Sequence, residues 1–209
     1  MTTLSQILEH KIVAIIRGAD PDDVLKIALA LNAGGVKVLE VTMNSDNPLE
    51  VIRQLSETMK DKMLIGAGTV LDAKMTKAAI NAGAKFIISP CVDKNVIKTT
   101  KKLGAISIPG AFTPTEIVNA FNRGGDIIKI FPASANVNYI KEIRAPLPHI
   151  PLMPTGGITL ENIKEFKKAG AVAFGIGTAL VNTKEKITEE YLKQLTERAQ
   201  KFVHSVTNL

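Results

Sequence analysis

The chain has 209 residues, 45% of them hydrophobic and 22% charged, which suits one compact domain spanning 1–209. Its net charge of +6 raises the question of nucleic acid, but the lysines are scattered over helical segments (Lys164, Lys167, Lys168; Lys184, Lys186) and aromatics reach only 4% with no Trp. No apolar run approaches the roughly 18 residues that span a bilayer, and a lone Cys91 with three histidines (His10, His149, His204) offers neither a disulfide nor metal-ligand spacing.

A nucleic-acid partner, a membrane span and a metal site are therefore not expected. The opening Met1–His10 lacks the basic start and apolar run of a secretion signal. The expected compartment is the reducing cytoplasm.

In chain order, a short helix is expected at 4–10. Short β-branched runs then alternate with longer amphipathic segments. The expected strands are 12–17, 36–42, 63–66, 86–89, 105–109, 126–131, 151–154 and 172–175. The expected helices are 22–33, 48–60, 73–82, 93–102, 114–123, 136–144, 160–168 and 186–205. Gly34-Gly35, Gly83, Gly104, Gly124-Gly125 and Gly170 each stand before a strand, where a left-handed residue ends a helix at least steric cost. Asp20-Pro21 and Thr113-Pro114 each place a capping side chain before a Pro at the first helical position.

Strands without polar alternation, separated by helices, indicate a parallel sheet covered on its outer face. Eight such units in this length predict an α/β fold, a single-domain (β/α)8 TIM barrel with an extra N-terminal helix. An open doubly wound sheet would call for a nucleotide fingerprint after the first strand, and no GxGxxG follows it.

The active site of a barrel lies at the C-terminal ends of its strands. There the chain places Arg17, then Glu40, Thr42 and Asn44, then Thr69, Pro90 and Cys91, then Lys129, and finally the turns at Thr155-Gly156-Gly157 and Gly177-Thr178. Lys129 and Glu40 are each flanked by branched apolar residues. Burial lowers an amine's pKa and raises a carboxyl's, so Lys129 becomes a candidate nucleophile and Glu40 a candidate proton carrier. The bland alternatives are a Lys129 that snorkels to solvent, or a buried Glu40–Lys129 ion pair that only holds the barrel. The turns at Gly156-Gly157 and Gly177-Thr178 offer backbone N–H groups in loops that often take phosphate. Cys91 is read as a space-filler.

Ile-Ile-Arg-Gly (15–18), Leu-Glu-Val-Thr (39–42), Gly-Ala-Gly-Thr-Val (66–70), Ile-Ser-Pro (88–90), Lys-Ile-Phe-Pro (129–132) and Pro-Thr-Gly-Gly-Ile (154–158) resemble, in order, the KDPG/KHG aldolase family. The resemblance implies a class I aldolase acting on 2-keto-3-deoxy-6-phosphogluconate. The same resemblance raises 4-hydroxy-2-oxoglutarate, cleaved to pyruvate and glyoxylate, as a further substrate. By resemblance, Lys129 forms the Schiff base and Glu40 is the general acid/base. Thr69 and an Arg hold the carboxylate at the pyruvate end, Pro90 lines the pocket, and Gly156, Gly157, Gly177 and Thr178 bind the distal phosphate. The family is homotrimeric and cytoplasmic and needs no metal or other cofactor.

Where many members carry Arg, this chain has Asn44, and Arg17 is the replacement the resemblance suggests. Asn44-Ser45 is similar to a 2-keto-3-deoxy-6-phosphogalactonate-specific branch, whereas Thr155 is similar to the phosphogluconate branch. Two other readings stay open: a phosphate-binding barrel isomerase or epimerase, and a catalytically silent sugar-phosphate sensor.

Overall fold

The expected alternation is realised in a computed structural model that describes residues 1–133 and 137–207. The strands are β1 (Ile12–Ile16), β2 (Val38–Thr42), β3 (Leu64–Gly68), β4 (Phe86–Ile88), β5 (Ile106–Ile108), β6 (Gly110–Ala111), β7 (Ile128–Ile130), β8 (Leu152–Pro154) and β9 (Phe174–Ile176). All pair in parallel, in the orders β5-β4-β3-β2-β1-β9 and β6-β7-β8.

Pro109 separates β5 from β6, because a residue without an N–H interrupts a ladder. The two are halves of one stave. Asp126 donates its amide to the Ser107 carbonyl at 2.8 Å, tying that stave to β7, and a parallel bridge between Thr155 and Gly175 joins β8 to β9. With these links eight staves curl into the expected (β/α)8 barrel.

The helices are α1 (Thr3–His10), α2 (Pro21–Ala33), α3 (Pro48–Thr58), α4 (Ala73–Asn81), α5 (Lys94–Lys102), α6 (Pro114–Asn122), α7 (Val137–Arg144), α8 (Ile163–Lys168) and α9 (Glu189–Thr207). The expected helix start at 136 lies outside the described residues. Local signals placed the ends well. Asp20 accepts the Asp22 amide at 3.0 Å, and Thr113 and Glu116 cap each other's backbone reciprocally. Gly83 takes φ +115 and Gly124 φ +101 just past their helices.

Three expectations are corrected. The 63–66 run extends to Gly68, so Ala67 and Gly68 belong to the ladder of β3 and not to the segment that follows it. The last helix begins at Glu189, because Asn182 turns the preceding chain, its amide donating to the Glu185 carboxylate at 2.6 Å. Cys91 is exposed and fills no core space.

Period-two alternation divides the apolar residues into two layers. Leu39, Val41, Ile128 and Ile130 point outward into the core shared with the helices. Val13, Val38, Leu64, Phe86, Ile108, Ile127 and Met153 point inward and pack with Ile7 of α1, which closes the barrel at the strand N-termini. The extra helix is therefore a plug.

Candidate active site

One step along β2 from inward-facing Val38 comes Glu40, and one step along β7 from inward-facing Ile127 comes Lys129. The alternation that buries their neighbours forces both into the barrel interior, where Glu40 is 1% exposed and Lys129 5%. Lys129 does not snorkel to solvent.

Nor do the two make a structural ion pair. No salt bridge joins them, and both Glu40 oxygens are buried without a hydrogen-bond partner. A pair retained to hold the barrel would be in contact and satisfied, since desolvation otherwise exceeds the attraction.

The electrostatic balance follows from this geometry. Burial pushes the Lys129 amine below its usual range; ionised Glu40 opposes that and Arg17 adds to it. Burial pushes the Glu40 carboxyl up, against the pull of Lys129 and Arg17. The Lys129 Nζ also stands 4.8 Å from the centroid of the Phe131 ring, which favours the cation. Desolvation nevertheless dominates both groups, and it drives both toward neutrality.

Space for Glu40 is provided across the sheet by β3. A methyl group at Gly68 would overlap the Glu40 carboxylate, and one at Gly66 would overlap the Phe86 ring. Gly175 on β9 does the same for Thr155, whose hydroxyl occupies the place its Cβ would take. None of these glycines needs a positive φ; each is there because a side chain crosses its face.

Beside this buried pair a cavity of about 630 Å³ opens at the strand C-termini. Its wall includes Arg17, Thr155, Gly156, Gly157, Gly177 and Thr178, so the structure brings six of the predicted binding residues together. Gly156 (φ +86) and Gly157 (φ +77) form one turn. The amides of Leu180 and Val181 both donate to the Gly177 carbonyl at 2.9 Å, winding the other.

Thr69 and Pro90 end β3 and β4 off that wall. Thr69 holds a left-handed φ of +56, uncommon for a β-branched residue, and Pro90 packs its backbone against Gly110.

Arg17 is the hub. Its Nη1 donates to Oδ1 of Asn44 at 3.1 Å, and its carbonyl accepts from the Thr183 hydroxyl at 2.7 Å. Ser45 joins them, accepting the Gly18 amide and sharing a 2.9 Å hydrogen bond with Thr42. Asn44 itself lies beyond the end of β2, not on it.

Sequence reasoning missed Gly68, Gly175, Ile15 and Lys184. Gly68 was legible only as a residue past a strand and Gly175 only as the last residue of one; Ile15 and Lys184 line the cavity but carry no local signal. Among the described residues no cluster of three His, Cys, Asp or Glu could hold a metal ion. No helix there is long and apolar enough to cross a membrane.

Comparison with known proteins fits this geometry. Residues 4–197 match the model of the aldolase family described as KDPG and KHG aldolase. The chain belongs to that family. It is 34% identical to the 2-dehydro-3-deoxy-6-phosphogalactonate aldolase of Escherichia coli (strain K12), over 84% of this chain and 87% of that one. It is 35% identical to the 2-dehydro-3-deoxy-phosphogluconate aldolase of Haemophilus influenzae, over 78% and 77%. Among solved structures, KDPG aldolase from Legionella pneumophila, with pyruvate captured as a covalent carbinolamine, superposes with a TM-score of 0.86 at 29% identity, covering 95% of this chain and 97% of that one.

Proposed function

We propose that this chain cleaves 2-keto-3-deoxy-6-phosphogluconate to pyruvate and glyceraldehyde 3-phosphate through an imine on Lys129, with Glu40 moving the proton. The observation that carries the reading is a buried amine displaced toward neutrality beside a buried carboxyl that has no other partner. An amine at its ordinary pKa would be neutral in only about one molecule in 10³ at pH 7.4, a cost of about 4 kcal/mol. Desolvation by the barrel removes part of that.

The steps follow from the layout. The neutral Lys129 amine attacks the C2 ketone, and the carbinolamine hydroxyl leaves as water with a proton from the protonated Glu40 carboxyl, which leaves a protonated imine beside an ionised Glu40. Glu40, ionised by that step, takes the C4 hydroxyl proton, and the C3–C4 bond breaks to give an aldehyde and an enamine. The same carboxyl returns the proton to the enamine, and hydrolysis frees pyruvate. Arg17 and Thr69 hold the substrate carboxylate. Pro90 lines the pocket, and Thr155, Gly156, Gly157, Gly177 and Thr178 face the phosphate-bearing end. The carbinolamine in the Legionella relative is the kind of adduct expected on Lys129.

A second substrate has specific support. The Asn44-Ser45 pair, which resembles the phosphogalactonate-specific branch and is held against Arg17 and Gly18, supports the C4-epimeric 2-keto-3-deoxy-6-phosphogalactonate. We further infer a cytoplasmic homotrimer, on the strength of the family resemblance, which light scattering checks directly. The deciding experiment is borohydride reduction in the presence of pyruvate with peptide mapping. A permanent adduct at Lys129 is expected, and none should form in Lys129→Ala. Normal cleavage by Lys129→Ala would overturn the scheme, and assay of the two epimers side by side ranks the substrates.

A further inference from the structure

A second cavity, of about 720 Å³, opens at the opposite end of the barrel, where β2, β3 and β4 begin. Lys37 directly precedes Val38, Lys62 lies two residues before Leu64, and Lys85 directly precedes Phe86. The sheet holds these positions in step. The Leu64 amide donates to the Lys37 carbonyl at 2.8 Å, and the Lys85 amide donates to the Ile65 carbonyl at 2.8 Å. Lys60, after α3, adds a fourth amine to the same wall, against a single carboxylate, Asp61.

These charges are not spent internally. Among the described residues no salt bridge involves any of the four lysines. Lys37 donates its Nζ to Oδ1 of Asn32 at 2.7 Å, a neutral partner that fixes the ammonium without cancelling it. The wall also holds the Ser56 hydroxyl, which is buried and has no hydrogen-bond partner.

The cations lining this wall are amines and not guanidinium groups. Lysine acts as a compact point charge with rotatable donors, suited to a phosphoryl group, whereas flat two-pronged recognition of a carboxylate would favour arginine. We propose that this cavity binds a small phosphorylated anion carrying two or more negative charges, at a site separate from the catalytic mouth. Such a ligand ties together the starts of three neighbouring staves, two of which carry Glu40 and Gly68. The proposal is independent of the aldolase reading.

Inorganic pyrophosphate is the probe, titrated into the full-length protein at constant ionic strength while backbone amide signals are followed by NMR. The Lys62, Gly83 and Lys85 signals should move along a saturable curve whose Kd differs from that of Gly156 and Gly177 at the mouth. The double variant Lys62→Glu/Lys85→Glu should weaken the first curve by about tenfold or more, with the second curve and the cleavage rate unchanged. The neutral pair Lys62→Ala/Lys85→Ala, which only trims exposed side chains, should shift it in the same direction. Shifts no larger than those from matched potassium chloride, or a curve indifferent to both variants, would overturn the proposal.

Discussion

Gly68 of β3, whose register partner is Thr42, faces the Glu40 side chain diagonally across the sheet, so that any Cβ at 68 would occupy the carboxylate's own place. The position of the acid is thus set by what its neighbour lacks. Gly68→Ala should push the carboxylate out of reach of the reacting atoms and lower kcat/KM by about 10²-fold. The overpacking should also cost about 1–3 kcal/mol in stability. Borohydride trapping of pyruvate should survive, because Lys129 is on another stave; kinetics together with trapping separate the two effects.

The burial of Glu40 makes stability depend on pH with a definite sign. Its folded pKa lies above the ordinary 4.5, so between those values the native state keeps a proton the unfolded chain has lost. Stability therefore falls as pH rises across that window and stays lower above it. Glu40→Gln abolishes the window. Urea unfolding should show the variant matching the wild type near pH 4.5 and exceeding it at pH 8, by about 1.4 kcal/mol for each unit of displacement. Equal stabilities at both pH values would mean the carboxylate is not desolvated.

Lys129 carries the opposite sign. Its folded pKa lies below 10.5, so stability rises with pH from the folded value up to 10.5. Measuring the Glu40→Gln effect in a Lys129→Met background isolates the carboxyl, whose window should then reach to higher pH, because an attracting cation is gone.

Arg17 lowers both Lys129 and Glu40. Arg17→Leu removes that influence, so the rising limb of the kcat/KM profile, which needs the neutral amine, should move to higher pH by about one unit. Asn44→Ala should move it far less, since Asn44 only orients the guanidinium at 3.1 Å. A profile unmoved by Arg17→Leu would place the guanidinium outside the titrating site.

Lys184 shares the mouth cavity with Gly156, Gly157 and Thr178 and brings a second cation beside Arg17. Lys184→Ala should raise KM for the phosphorylated substrate about tenfold, the loss of one charge-assisted contact, with kcat nearly constant. Cleavage of unphosphorylated 4-hydroxy-2-oxoglutarate should be untouched. A fall in both would point to damage to the site itself.

Much of this was readable along the chain because the governing signals are local. Apolar alternation marks staves and helices, Thr113-Pro114 and Asp20-Pro21 mark helix starts, and a charged residue two positions from an apolar inward one must share its face. That logic placed Glu40 and Lys129 together before any fold was known. It failed for Gly68, because a glycine just past a strand and a glycine making room for a neighbour look identical in one dimension.

The tertiary structure alone decided three matters. It set the face of Gly68 against the Glu40 carboxylate, one register step from Glu40's own partner Gly66, which no periodicity encodes. It brought Asn44 and Thr183 onto Arg17, 27 and 166 residues away along the chain. It also settled the contest at Lys129, where desolvation and Arg17 together outweigh Glu40. Periodicity and capping depend on neighbours a few residues apart, whereas desolvation and Coulomb energies depend on distances between groups that only folding brings near.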